Sequence, residues 1–316
     1  MPKPLTLNAV VMPLWPPGSP MLNASKAATQ EEKFSITEDV PTRIRQVVNV
    51  HNPSIEVHLI PPNHGTADDF NTGAAIILAP GGGNRDLESA GEGTDFIPFF
   101  YELGVNTFIL RYRLQPDYTA KDANADAAQA IRMVRAHAKE WGIDPKKIGM
   151  MGFSAGGDRE AYLTANFDAG DPNATDPVAR ASSRPDFVVG IYPSGSNAGV
   201  PKNGPTGFFV VSGEDFSHAR TTIAQANNML SAGIPFVELH LYAYGRHGDG
   251  MKDRQGNPLG TWQNRFVDWV RDLGFLNKPG VPTKVDAFSQ QAPIPATPRG
   301  GGRQGGAAGT NAPATP

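Results

Sequence analysis

The pentapeptide Gly152-Phe153-Ser154-Ala155-Gly156 fits G-x-S-x-G, with an apolar run (IGMMGF) leading into it and a helix-compatible segment (AGGDREAYLTANF) leaving it. A sharp strand-to-helix turn needs small flanking residues, and it holds the serine strained and exposed. The helix that follows aims its N-terminal dipole and free N–H groups at the same point, which favours an oxyanion. The chemistry offered is nucleophilic attack by the serine hydroxyl, which needs a base and an acid to orient that base. On such an elbow the acid and then the base follow the serine in the chain. Of the seven histidines, His218, His240 and His247 come after Ser154. His240 lies inside the strand-like FVELHLY and His218 at a turn or helix start, whereas His247 sits in the Gly-rich loop YGRHGDG, free to swing toward the serine. Glu214 and Asp215 in FFVVSGEDF follow the penultimate apolar run, and Asp215 is preferred as the acid. The bland alternative is that both cap a helix beginning near Ser217. Asp249, two residues from His247, is badly spaced to reach the far ring nitrogen.

A tetrahedral intermediate also needs donors. The run Ala79-Pro80-Gly81-Gly82-Gly83-Asn84 lets backbone N–H groups approach a ligand closely, and the amide of Ala155 would complete the hole. A phosphate loop is disfavoured, because neither GK[ST] nor a complete G-x-G-x-x-G is present. His51, His58 and His64 match neither a helix face nor a zinc knuckle, and there is no H-E-x-x-H, so no metal is expected. Two carboxylates of a glycosidase cannot be paired from sequence.

The elements that must hold these groups are visible as six apolar runs: residues 74–79, 105–110, 148–153, 187–192, 208–211 and 236–242. Continuous apolar runs suit strands covered on both faces. Between them, Ala127, Ile131, Val134, Ala138 and Trp141 fall at helical spacing, and Trp262, Phe266, Trp269, Val270 and Leu273 repeat the pattern. Alternating strands and helices predict an α/β fold: one mostly parallel, twisted sheet with helices on both faces. Residues 44–50 and 55–60, separated by HNPS, read as an antiparallel hairpin at the sheet edge. The expected organisation is an N-terminal extension (1–40) packing on a catalytic domain (41–278), then a flexible Pro/Gly-rich tail (279–316) too poor in large apolar side chains to offset ordering entropy.

Composition narrows the partners. With 316 residues and 39% hydrophobic content the chain can bury a sizeable core. No stretch approaches the roughly 18 apolar residues of a membrane span, so a soluble protein is expected. Twenty-eight basic against 31 acidic residues, net −3, give no footprint for nucleic acid. The absence of Cys excludes disulfides and a thiol nucleophile. It leaves the compartment open, an exported form with its leader removed included. Oligomeric state is not legible.

Taken together, LWPPGSP, APGGG, Glu92-Gly93, FILRYRL, the helix DAAQAIRMVRAHAKEWGIDPKKIG, GFSAGG, SGED and GRHGDG resemble the α/β-hydrolase superfamily, and within it the bacterial acetylxylan esterase-like, xylanase-labelled branch, over residues 10–277. The resemblance implies Ser154 as nucleophile, Asp215 as acid and His247 as base, with backbone donors at Gly82, Gly83 and Ala155. It also implies carboxylic-ester hydrolysis, commonly of acetyl groups on plant polysaccharide, without a metal or organic cofactor. Two positions depart from the family pattern: Asn84 stands where an aromatic residue is usual and Asp158 where a His is usual. Both are expected near the mouth of a substrate pocket. Feruloyl, other small esters and polyesters are the alternative substrates, a serine peptidase is the enzyme rival, and a catalytically silent binding scaffold is the rival outside enzymes.

Overall fold

The computed structural model of the chain describes residues 2–37, 40, 43–61, 70–249 and 258–289. In chain order these form β1 (Val10–Pro13), α1 (Ala24–Thr29), β2 (Lys33–Ile36), β3 (Ile44–Val48), β4 (Ser54–His58), β5 (Ala75–Ala79), α2 (Ile97–Glu102), β6 (Asn106–Arg111), α3 (Ala120–Ala136), β7 (Ile148–Phe153), α4 (Gly157–Ala165), α5 (Pro177–Arg180), β8 (Phe187–Ile191), β9 (Thr206–Ser212), α6 (Phe216–Ser231), β10 (Glu238–Tyr242), α7 (Trp262–Asp272) and α8 (Lys284–Ser289).

Eight strands make one sheet in the order β1-β4-β6-β5-β7-β8-β9-β10. β4 is antiparallel to both β1 and β6, and every pair from β6 to β10 is parallel. The five strands β5 to β9 are buried at every position, which is why they read as unbroken apolar runs. β10, at the edge, is only half buried and alternates. The stripe on α3 faces the sheet as its spacing requires: Ala127, Ile131 and Val134 are inaccessible. The helix ends at Ala136, so Ala138 and Trp141 complete the buried stripe from the turn beyond it. The start of α3 is fixed by Thr119, whose amide and hydroxyl both donate to Asp122 Oδ2, at 2.9 and 2.8 Å.

One sequence expectation is corrected. Residues 44–50 and 55–60 do not form a hairpin: β3 pairs with β2 in a separate two-stranded ribbon, while β4 inserts between β1 and β6. A period-two pattern says that one face of a strand is buried but not which strand lies beside it. The ribbon joins residues on both sides of the expected boundary at 40, Lys33 pairing with Val48, and β1 is an edge strand of the main sheet. The segment after 279 likewise begins with structure. Lys284 N donates to Leu273 O at 2.8 Å, and the Phe288 ring meets that of Phe236 edge to face at 5.7 Å. A few apolar groups suffice there because the surface they cover is already built. Residues 290–316, the rest of that segment, lie outside the described residues.

Candidate active site

β7 runs straight into the turn at Ser154, whose φ of +49° is the strained left-handed conformation that throws a side chain clear of the strand end. The flanking glycines are required by space. A Cβ on Gly156 would lie 1.9 Å from Ala79 O, and one on Gly152 2.7 Å from Gly156 O. The motif thus lets the turn, β5 and α4 close on one another.

The structure brings Ser154, His247 and Asp215 together. Ser154 Oγ lies 2.7 Å from His247 Nε2, and His247 Nδ1 lies 2.5 Å from Asp215 Oδ2. Burial alone would raise the Asp215 carboxyl, but hydrogen bonds from His218 and His247 outweigh it and hold it below the usual range. An ionised carboxylate can only accept, so Nδ1 donates. In the neutral ring this leaves Nε2 as an acceptor for the serine proton. The other candidates fall elsewhere. Glu214 accepts from Gly245 N at 3.3 Å, Asp249 accepts from Arg246 N at 3.0 Å within the loop that carries His247, and His240 Nε2 contacts Glu238 at 2.6 Å. Asp215 occupies the N-cap of α6 without capping it. Its second oxygen, Oδ1, is taken by His218 Nδ1 at 2.7 Å.

Gly82 and Gly83, with φ of +125° and +61°, form the turn after β5, and their amides donate to no other described residue. Tyr112 OH donates to Pro80 O at 2.7 Å, and Gly81 N donates to Glu92 Oε2 at 2.6 Å, which ties the loop down on both sides. Glu92 is buried, which pushes its carboxyl up to about 7. Its Oε1 accepts from Tyr192 OH at 2.9 Å, and the Tyr192 ring lies 4.8 Å from that of His247. Ala155 is the first residue past the serine and is buried under the turn. Sequence reasoning missed the parts played by Glu92, Tyr192 and His218. The signals were Glu92-Gly93, read only as part of the family resemblance, and His218, read only as a rival base.

Asn84 and Asp158 are joined to each other, Asn84 Nδ2 donating to Asp158 Oδ2 at 3.0 Å, with Arg159 Nη1 donating to Asn84 Oδ1 at 3.2 Å. Neither lines the cleft that holds Ser154. That cleft, about 1150 Å³, runs from Ser154 and His247 past Gly82 and Gly83 to Arg43 and Arg45 of the β2–β3 ribbon. Arg43 is paired with Asp95.

Among the described residues Asp215, His218 and His247 form a trio whose ligand atoms lie within 4.8 Å, a set of types able to hold a metal. Both Nδ1 atoms contact the carboxylate directly, so the trio reads as a hydrogen-bonded chain. His51 and His58 are bonded to Tyr118 and Glu56 respectively, and His64 lies outside the described residues.

The sheet order and the elbow define an α/β-hydrolase fold, and comparison with known proteins agrees. The chain resembles the acetylxylan esterase-like branch of that superfamily. The BD-FAE family profile matches residues 68–192. An acetylxylan esterase of Xylanibacter ruminicola is 32% identical over 122 residues, 39% of this chain and 23% of that one. Endo-1,4-beta-xylanase B of Butyrivibrio fibrisolvens is 33% identical over 129 residues, 40% of this chain and 20% of that one. The matched segments are therefore minor parts of those two relatives. The crystal structure of an acetyl ester-xyloside bifunctional hydrolase from Caldicellulosiruptor lactoaceticus superposes with a TM-score of 0.66 at 26% identity, covering 84% of this chain and 97% of that one.

Proposed function

We propose that this protein is a serine carboxylic-ester hydrolase that removes short acyl groups, acetyl foremost, from plant polysaccharide or a related ester. The observation that carries the proposal is the chain of hydrogen bonds from Ser154 Oγ through His247 to Asp215, set on a strained elbow. In this reading Ser154 Oγ attacks the ester carbonyl while His247 Nε2 takes its proton. The amides of Gly82, Gly83 and Ala155 receive the oxyanion, and Asp215 supports the imidazolium. Collapse of the tetrahedral intermediate breaks the C–O bond, His247 returns the proton to the leaving alkoxide, and the acyl group stays on Ser154. Water, activated by the same imidazole, then releases the acid. The polysaccharide part of the reading draws on the names of the relatives and on an open cleft far larger than an acetyl group needs.

The test is hydrolysis of p-nitrophenyl acetate and butyrate, alongside acetate release from acetylated xylan, by wild type and Ser154→Ala. Loss of roughly 10⁴- to 10⁶-fold in turnover on all substrates is expected for the variant. Serine-dependent activity on the small esters alone would remove xylan as the substrate. A fully active variant would overturn the triad.

A further inference from the structure

Asp215 stands where a side-chain oxygen ordinarily accepts from the free amides of a helix's first turn, yet it makes no such bond to α6. Its two oxygens are taken by two imidazoles, Oδ2 by His247 at 2.5 Å and Oδ1 by His218 at 2.7 Å. Among the described residues nothing else hydrogen-bonds to this carboxylate. The ring of His218 lies over that of His247, with centroids 4.1 Å apart and planes 29° from parallel. Its far nitrogen, Nε2, is 3.3 Å from Ser194 Oγ, and Ser194 N donates to Ser154 O at 2.8 Å. His218 is thus held at both edges, by Asp215 on one side and on the other by Ser194, which is itself bonded to the elbow.

We propose that His218 is a positioning residue for the esterase reaction, holding the second oxygen of Asp215 and one face of His247 so that the acid stays turned toward the base. The proposal rests on reading Ser154, His247 and Asp215 as the working triad. The hazard it answers is local. The N–H groups at the start of α6 are an alternative partner for the carboxylate, and rotation about χ1 toward them takes Oδ2 away from His247 Nδ1. The imidazole then loses the group that fixes its tautomer and supports its charge. His218 occupies the second oxygen and supplies a flat surface along the base. Substrate binding is untouched by this, so the effect belongs on kcat.

Three variants separate the hydrogen bond to Asp215, which carries most of the effect, from the stacked ring. His218→Phe keeps a ring and removes the donor, His218→Asn places an amide N–H close to the position of Nδ1 and removes the ring, and His218→Ala removes both. On p-nitrophenyl acetate the Ala and Phe variants should lose about 10- to 100-fold in kcat with KM within about threefold of wild type, and the Asn variant should recover most of that loss. The low-field proton resonance of His247 Nδ1–H should disappear in the Ala and Phe variants and persist in the Asn variant. The unfolding midpoint of His218→Ala should stay level or rise, because the freed Asp215 then caps α6. Wild-type turnover in the Ala and Phe variants with the resonance intact, or an Asn variant as slow as Ala, overturns the proposal. A fully active Ser154→Ala overturns the triad reading instead, a failure recorded at a different residue.

Discussion

Glu92 and Tyr192, 100 residues apart in the chain, share a hydrogen bond of 2.9 Å, and through it the glycine loop after β5 is tied to the ring bordering His247. The other carboxylate oxygen holds Gly81 N, so a single buried side chain links the loop of the proposed oxyanion donors to the ring beside the proposed base. Glu92→Ala should therefore lower kcat on p-nitrophenyl acetate by about 10- to 100-fold with little change in KM. Glu92→Gln, which can accept from Gly81 and donate to the Tyr192 oxygen, should retain most activity. Equal losses in both variants would mean that the charge matters and the tether does not.

Asp215→Asn should leave the fold intact and reduce turnover by roughly 10³- to 10⁴-fold. An amide offers one acceptor and one donor to two rings that both present Nδ1–H. One ring must therefore adopt the opposite tautomer, and if it is His247 its Nε2 carries a proton and cannot accept from Ser154. Circular dichroism and steady-state kinetics on the same preparation test this; a well-folded variant within tenfold of wild type would remove Asp215 from the role.

The bond between Asn84 and Asp158 predicts that two departures from the family pattern are energetically coupled. A double-mutant cycle of Asn84→Ala and Asp158→Ala, read by urea unfolding, should give a coupling of about 1 kcal/mol, and additive effects would show that the contact is inert. KM for p-nitrophenyl acetate should be unmoved in both variants, since neither side chain lines the cleft.

Glu160, on the helix that follows the serine, is inaccessible and has one oxygen unpartnered and the other on Thr164 Oγ1 at 3.0 Å. Burial pushes its carboxyl up from 4.5 to about 8. Between those pH values the unfolded chain has lost a proton that the folded one keeps, so stability falls as pH rises through that window and levels off above it. Glu160→Gln abolishes the titration. Its stability relative to wild type should increase from pH 5 to pH 8.5 by something on the order of a few kcal/mol, measured by denaturant unfolding. A difference independent of pH would show that Glu160 is not buried as a neutral acid.

What sequence made legible were features that carry their own constraint. The five inner strands are buried at every position and mostly apolar because both faces are covered, and Ser154 stands out because the turn demands glycines at 152 and 156 whatever surrounds it. Order along the chain then pointed to Asp215 and His247. What escaped depended on partners distant in sequence. The pairing of β3 with β2 in place of β4 turns on where the ribbon meets the loop, Val47 bridging Leu87. Glu92 meets Gly81 and Tyr192, and His218, weighed as a rival base, shares the Asp215 carboxylate with His247. A histidine near a helix start looks the same in sequence whichever of its neighbours it meets.

The far wall of the cleft is furnished by Arg43 and Arg45 from a ribbon that stands outside the main sheet and contributes nothing to the relay. That wall is nonetheless bound to the segment after the glycine loop, Val47 and Leu87 exchanging backbone hydrogen bonds at 3.0 and 2.8 Å and Ala90 N donating to Arg45 O at 3.1 Å. Under the proposed function, a reversal of charge at an exposed ribbon side chain alters the wall a substrate meets, whereas an insertion or deletion there also disturbs the segment that steadies Gly82 and Gly83.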